Sequence, residues 1–277
     1  MQTEVIIATY NNPRSLSLCL ESIRAQTVLP HSIAFADDGS APETRAIIDD
    51  FALPGVQIRH VWHEDQGFRK CEILNKAIAS SHADYLIFLD GDVMIHPGFF
   101  ARHLDCAERR RFMTGSLIRL DKDASEAVTP QMVKDGTVFD RHWLRRVRAI
   151  IKISTWLKTA PLQRSLLNLL ELTSPVRRAL CGANWSAFRS DILSVNGFDQ
   201  QLAYGGEDKE LGERLANSGI RGRHVRFTTP LIHLDHLRDY ANQDRMRANK
   251  ERIRHVRQTK VTWTDNGIAA PAEPSQQ

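Results

Sequence analysis

Short apolar runs that stop abruptly in polar clusters recur along the first hundred residues. Residues 4–9 (EVIIAT) form a β-branched run ending at Tyr10-Asn11-Asn12-Pro13, after which Leu16, Leu18, Leu20 and Ile23 follow at helical spacing, with Ser15 as a candidate cap. The unit repeats. Residues 32–36 predict a second strand that ends at Asp37-Asp38-Gly39-Ser40, 43–51 a helix, 56–62 a third strand and 69–81 another helix. The most apolar strand, 85–89 (YLIFL), runs straight into Asp90-Gly91-Asp92 and is expected at the centre of a sheet. Alternating strands and helices predict an α/β fold with a mostly parallel central sheet flanked by helices.

Past Gly98 the pattern loosens. It predicts a helix at 99–109, a strand at 112–120, two or three helices in a basic, Leu-rich stretch reaching about residue 180, and a strand at 183–189 returning to the sheet. Leu211 and Leu215 mark the inward face of an amphipathic helix at 207–218, and 222–227 reads as an edge strand. A helical extension is expected at 241–268 and a disordered Pro/Ala/Gln-rich tail at 269–277.

With 42% apolar and 25% charged residues over 277 positions, the chain is neither disordered nor of low complexity. No apolar run approaches the ~18 residues of a spanning helix, and the N-terminal residues start a strand pattern without a leader signature. Cys19, Cys71, Cys106 and Cys181 lack the spacing of a zinc site or a disulfide framework, so a cytoplasmic setting is expected. Charge changes the picture more. Residues 141–178 hold nine Lys/Arg against one acid, a local +8, while the total is only +4. That imbalance points to an anionic partner, such as a membrane surface or a phosphorylated acceptor, and away from nucleic acid. The alternation of Arg145, Arg146, Arg148 and Lys152 with Ile150, Ile151, Ile153, Trp156 and Leu157 fits a helix at an anionic bilayer; equally, Leu166, Leu167, Leu169 and Leu170 fit a buried face with a solvated basic side.

In open α/β sheets ligands gather at the carboxyl ends of the strands. There the sequence places Thr9-Tyr10-Asn11, Asp37-Asp38, His63-Glu64-Asp65-Gln66-Gly67 and Asp90-Gly91-Asp92, four polar clusters converging on one rim. Two carboxylates on one turn suit a hard divalent cation that keeps positions for phosphate oxygens, and Gly91 between them allows close backbone approach to a ligand. Glu207-Asp208 follows two glycines at the start of a predicted helix, where backbone N–H groups and the helix dipole favour an ionised carboxylate able to act as a base.

These clusters, with Gly67-Phe68-Arg69-Lys70, Asn75 and Tyr204-Gly205-Gly206-Glu207-Asp208 followed by Arg214-Leu215, resemble a family 2 glycosyltransferase of the GT-A fold over residues 3–240. The GGED segment resembles the galactosyltransferase and N-acetylgalactosaminyltransferase branch that includes chondroitin polymerases and β-1,4-galactosyltransferases. The resemblance implies a catalytic domain at 1–240, with nucleotide-sugar binding in 1–120, the helical insert at 121–180 and the acceptor part at 181–240. It assigns Thr9, Tyr10, Asn11, Asp37 and Asp38 to the donor nucleotide, Arg69 and Lys70 to the diphosphate, with Arg69 alternatively pairing a rim acid, and Asp90, Gly91 and Asp92 to ribose and metal. Asp92 and His236 are implied ligands of Mn²⁺ or Mg²⁺, with His233 as second choice to His236, which stands two residues before Arg238. Asp208 is the implied base and Glu207 an acceptor contact; Tyr204, Gly205, Gly206 and Gly182 would line the sugar site. Trp185 either stacks on a sugar face or belongs to the core.

The implied activity is inverting, metal-dependent transfer of a sugar from a UDP-sugar to a glycan or lipid-linked acceptor, in the setting of bacterial cell-surface polysaccharide or lipopolysaccharide. A place at the inner face of the cytoplasmic membrane would follow from the basic insert. Two rivals stand beside it: a sugar-nucleotide nucleotidyltransferase, whose Gly-rich phosphate loop is missing from Thr9-Tyr10-Asn11-Asn12, and a catalytically silent sugar-binding relative, against which the intact acidic motifs argue.

Overall fold

In the computed structural model of the protein, residues 1–236 and 242–269 are described. Three strand–helix units and a fourth strand come first: β1 (Thr3–Thr9), α1 (Pro13–Arg24), β2 (Ser32–Asp37), α2 (Pro42–Asp49), β3 (Gln57–Trp62), α3 (Lys70–Ala79) and β4 (Tyr85–Asp90). Then follow β5 (Val93–Met94), α4 (Phe99–Asp105), β6 (Arg111–Thr114), β7 (Ser116–Arg119), α5 (Lys122–Ala127), α6 (Pro130–Lys134), α7 (Arg141–Arg146), α8 (Ile153–Thr159) and α9 (Arg164–Thr173). The chain returns through β8 (Asn184–Phe188), α10 (Arg189–Leu193), α11 (Glu207–Asn217), β9 (Arg221–His224), β10 (Pro230–His233) and α12 (Gln243–Thr259). Arg238 and the predicted tail from 270 onward lie outside the described residues.

The main sheet has the order β3-β2-β1-β4-β8-β6-β9, with β4 in the middle as expected and β8 running antiparallel to both neighbours. Alternate residues of each strand feed two cores: Ile6 and Ala8 of β1 with Leu86 and Phe88 of β4 face one side, Val5, Ile7, Tyr85, Ile87 and Leu89 the other. This two-sided burial is why the strands read as continuous apolar runs. The first helix is capped by Asn12, which accepts from the N–H of Ser15, with Pro13 in its first turn; Ser15 is therefore the third helical residue and not the cap.

One predicted strand splits in two. At Gly115 a Cβ would overlap the Asn184 side chain at 2.2 Å, and Asn184 Nδ2 donates to the carbonyls of Ser116 and Thr229. That junction sends β6 into the main sheet and β7 into a second sheet, β5-β10-β7. The basic stretch holds more helix than expected: five short α-helices and a 3₁₀ turn between residues 121 and 180.

Trp185 belongs to the core. It pairs across strands with Phe88, stacks on that ring with centroids 4.0 Å apart and is fully buried, so the sugar-stacking alternative is set aside. Asn75 is also structural: its amide donates to the carbonyl of Phe198 and accepts from the same residue's N–H, both at 2.8 Å, tying α3 to the segment before Glu207. Deeper in α11, Glu210 and Arg214 form a fully buried ion pair at 2.7 Å, with Arg214 also donating to the carbonyls of Val195 and Gly197. Glu210→Ala would strand a buried guanidinium and is expected to lower the unfolding free energy by about 3–5 kcal/mol, measured by urea denaturation; a loss under about 1 kcal/mol would mean that Arg214 is satisfied by carbonyls alone.

Candidate active site

The loops after the first three strands lock together into a rim. Tyr10 Oη donates to Asp65 Oδ2 at 2.9 Å, and Gly39, at φ +93°, lies so close to Asp65 that a Cβ there would sit 2.6 Å from its backbone. Asn11 adopts a left-handed φ of 43°, its N–H donating to Ser40 Oγ and its Oδ1 accepting from the N–H of Ala41. The acids of this rim are less available than their sequence position suggests. Asp37 is fully buried; its two oxygens accept from the N–H of Ser40 and meet His60 Nε2 at 2.9 Å. Burial raises its pKa, but the His60 and Ser40 hydrogen bonds outweigh that and leave it below the ordinary value. Asp37 thus builds the turn after β2 and is covered by His60. Asp38 meets His63 at 2.7 Å and accepts from the N–H of Arg69 at 3.0 Å, while burial pushes its pKa up. Thr9 is buried beside them, while Tyr10 and Asn11 are exposed.

Arg69 pairs with Glu72 of α3 at 3.2 Å and donates to the carbonyl of Glu64. Lys70 turns the other way, its Nζ 2.6 Å from Asp90 Oδ1. Burial alone would lower the Lys70 pKa, yet the carboxylates of Asp90, Glu207 and Asp92 around it drive it above the usual lysine value. One ammonium therefore faces acids from two strand ends and from the start of α11. Gly91 packs against the protein itself: its N–H donates to the carbonyl of Ala8, and a Cβ would come within 3.2 Å of that oxygen and of Thr9 Oγ1. The close approach expected toward a ligand is made to β1.

Asp92, His233 and His236 come together although some 140 residues separate them in the chain. The antiparallel pairing of β5 with β10 sets His233 opposite Val93, and the N–H of Leu234 donates to the carbonyl of Asp92. Asp92 Oδ2 lies 2.9 Å from His236 Nε2 and 3.7 Å from His233 Nε2, and the three ligand atoms all lie within 4.8 Å of one another. His233 Nδ1 is 2.6 Å from the carbonyl of Leu234, so it carries the proton and the Nε2 lone pair faces the cluster. Asp92 Oδ1 is buried with no hydrogen-bond partner. Burial raises the Asp92 pKa, but His236, His233 and Lys70 outweigh it, so Asp92 is held ionised. An ionised, buried oxygen without a partner beside two imidazoles is a donor set that fits a divalent transition metal such as Mn²⁺.

Across the cleft, Glu207 Oε2 accepts from the N–H groups of Gly205 and Gly206 at 3.0 and 2.8 Å, folding the loop back on itself. Asp208 accepts from the N–H of Gly182 at 2.9 Å and of Lys209 at 2.8 Å, and a Cβ on Gly182 would touch it. The helix start was expected to favour the ionised form. The balance runs the other way: burial, then the neighbouring Glu207 charge, raise the Asp208 pKa to about 6 against the lowering of its backbone hydrogen bonds. Asp208, Glu207, Gly182, Asp90 and Lys70 line one recess over Ala8 and Phe88. Beside it, Tyr204, Arg119, His233 and Asp235 line an open hollow of about 290 Å³. Tyr204 packs edge-on against Phe68, at 6.0 Å between centroids.

Residues 4–158, more than half of the chain, match the family described as glycosyl transferase family 2, and residues 170–237 match the N-terminal domain of galactosyltransferase. The chain belongs to glycosyltransferase family 2. Within this family the chain is 22% identical over 237 residues to the chondroitin synthase of Escherichia coli, covering 80% of this chain and 33% of that one. It is 26% identical over 230 residues to the validoxylamine A glucosyltransferase of Streptomyces hygroscopicus subsp. limoneus, covering 78% and 48%. The chain thus spans a third to a half of the length of these relatives. Among solved structures, S. aureus TarS 1-349 in complex with UDP superimposes with a TM-score of 0.59 at 13% identity, covering 91% of this chain and 64% of that one. The Pyrobaculum calidifontis mannosyltransferase in complex with GDP-Man and Mn²⁺ gives 0.56 at 16%, covering 86% and 57%. These likenesses establish the GT-A glycosyltransferase fold.

Two residues of this family 2 site had no signal in the sequence. His60 is an ordinary-looking strand residue until β2 and β3 pair and bring it to Asp37. Arg119 ends a strand whose parallel register with β10 sets it opposite His233, an exposed cation beside the Asp92 cluster.

Proposed function

We propose that the chain catalyses inverting, divalent-cation-dependent transfer of a hexose or N-acetylhexosamine (Gal, GalNAc, Glc or GlcNAc) from a UDP-sugar to a hydroxyl of a glycan or glycolipid, in assembly of a bacterial surface polysaccharide or lipopolysaccharide. The observation that carries it is Asp208, a carboxyl titrating near 6 in the recess it shares with Asp90 and Lys70. Catalytic bases work best when their pKa lies near the operating pH. Asp208 takes the proton of the acceptor hydroxyl as that oxygen attacks the anomeric carbon from the face opposite the leaving diphosphate. The ammonium of Lys70, held charged by the acids around it, lies where a diphosphate would enter. Asp92, His233 and His236 would hold the cation, which supplies positive charge for the leaving group. Glu207 shapes the glycine loop through Gly205 and Gly206 and would contact the acceptor sugar.

UDP in one structural neighbour and GDP-Man with Mn²⁺ in another support a nucleotide-sugar donor, of which the reading takes the UDP-linked class. The test is release of nucleoside diphosphate from UDP-Gal, UDP-GalNAc, UDP-Glc, UDP-GlcNAc and GDP-Man in the presence of Mn²⁺. Release from at least one UDP-sugar is expected. Turnover of GDP-Man alone would overturn the donor class, and UDP binding without turnover of any donor would make the chain a silent relative.

A further inference from the structure

The helix α9 is inside out. Its inward side is polar: Asn168 Oδ1 accepts from Arg102 at 2.5 Å, and Glu171 pairs with Arg102 at 3.0 Å while accepting from the N–H groups of Phe227 and Thr228, each at 2.9 Å. Its outward side is apolar, with Leu166, Leu169 and Leu172 exposed by 42%, 54% and 60% at three-residue spacing. Ile151 and Ile153, just before and at the start of α8, are 82% and 80% exposed. Of the thirteen large apolar side chains exposed among the described residues, seven fall between 151 and 176, a concentration in one stretch of the chain and not the usual scatter.

The segment's own charge is nearly all of one sign, although Arg164 at the start of α9 pairs with Asp105. Arg145, Arg146, Arg148 and Lys152 are exposed and pair with no carboxylate among the described residues, and the one acid of the segment, Glu171, is buried against Arg102. A second copy of the chain would bring like charge against like. Exposed leucine and isoleucine side chains in the same segment as unpaired cations are what an anionic lipid surface accepts, apolar groups entering the acyl boundary while Arg and Lys reach the headgroups. No helix among the described residues is long and apolar enough to cross a membrane, so this face would lie on a bilayer and not span it.

We propose that residues 145–176 form a docking surface for an anionic lipid bilayer. Six residues beyond this surface the chain reaches Gly182, whose N–H holds Asp208. The inference stands apart from the donor assignment, because vesicle binding needs neither nucleotide nor turnover.

Co-sedimentation of the full chain with phosphatidylcholine vesicles, with and without phosphatidylglycerol, tests it. Binding to the mixed vesicles at low salt, weakened by high salt, with little binding to phosphatidylcholine alone, is the expected result. Each cation near such a surface contributes about fivefold, so Arg145→Glu with Arg146→Glu should reduce partitioning by more than about tenfold. Leu169→Glu with Leu172→Glu should do so by at least about tenfold, with an unchanged melting temperature because both side chains are exposed. No binding to mixed vesicles at low salt, or equal binding by both double variants, would overturn the proposal. So would dimerisation of the wild type that Leu169→Glu abolishes, in the absence of vesicle binding.

Discussion

Replacing Asp208 by Asn should lower the sugar-transfer rate by about 10²–10⁴-fold while leaving UDP affinity within about threefold. Asp90 is held by Lys70 and Glu207 Oε2 by two backbone N–H groups, whereas each Asp208 oxygen accepts a single backbone N–H, from Gly182 and from Lys209, and keeps a lone pair for the acceptor proton. The same side chain sets the acid limb of the pH profile. With a pKa of about 6, kcat/KM should fall about tenfold per pH unit below that value in the wild type, and this limb should vanish from the residual activity of the variant.

Stability supplies an independent readout. A carboxyl whose pKa is raised from 3.8 to about 6 on folding favours the folded state only while it is protonated. That contribution is fully present below the unfolded value and is lost as pH rises through the folded one. At neutral pH the charged Asp208 therefore costs the fold up to about 3 kcal/mol, and Asp208→Asn should melt no lower than wild type at pH 7. A variant that is both inactive and less stable at pH 7 would point to a structural carboxylate instead of a base.

Removing Asp92 should have the second largest effect. Asp92→Ala is expected to abolish Mn²⁺ binding, followed by electron paramagnetic resonance of the titrated ion, and to reduce transfer by about 100-fold or more. His233→Ala and His236→Ala should weaken binding less, by about 10–100-fold each. The metal-binding readout separates this outcome from a loss of folding, because Asp92 is a loop residue between β4 and β5 and its backbone pairing with Leu234 survives the substitution. Full activity in excess EDTA, with Mn²⁺ still unbound, would leave the cluster a hydrogen-bonded carboxylate and two imidazoles with no catalytic part.

Much of the fold was legible because its signals are local. The β-branched runs, the polar stops after them and the helical spacing of Leu16, Leu20 and Ile23 each depend on a few neighbouring residues, and they placed β1 to β4 within a residue or two. The later strands were harder. Residues 112–120 read as one strand because nothing in their own pattern reveals that Asn184, seventy residues away, occupies the space above Gly115. Trp185 carried no local sign of whether its ring faced solvent or Phe88, and Asp37 none that His60 would cover it.

By itself the sequence determined that polar clusters would converge at one rim, since parallel strands joined by helices all deliver their carboxyl ends to the same side of the sheet. It determined as well which acids and imidazoles were available there and where the positive charge is concentrated. Only the tertiary structure decided which atoms meet: the pairing of β5 with β10 that gathers Asp92, His233 and His236, and the inverted face of α9. It alone decided that Asp208 is held near neutrality, against the pull of its own helix. The reason is one of range. Strand and helix periods are set by adjacent residues, whereas register, burial and the electrostatic work of removing a charge from water depend on partners that the chain brings close only when it is folded.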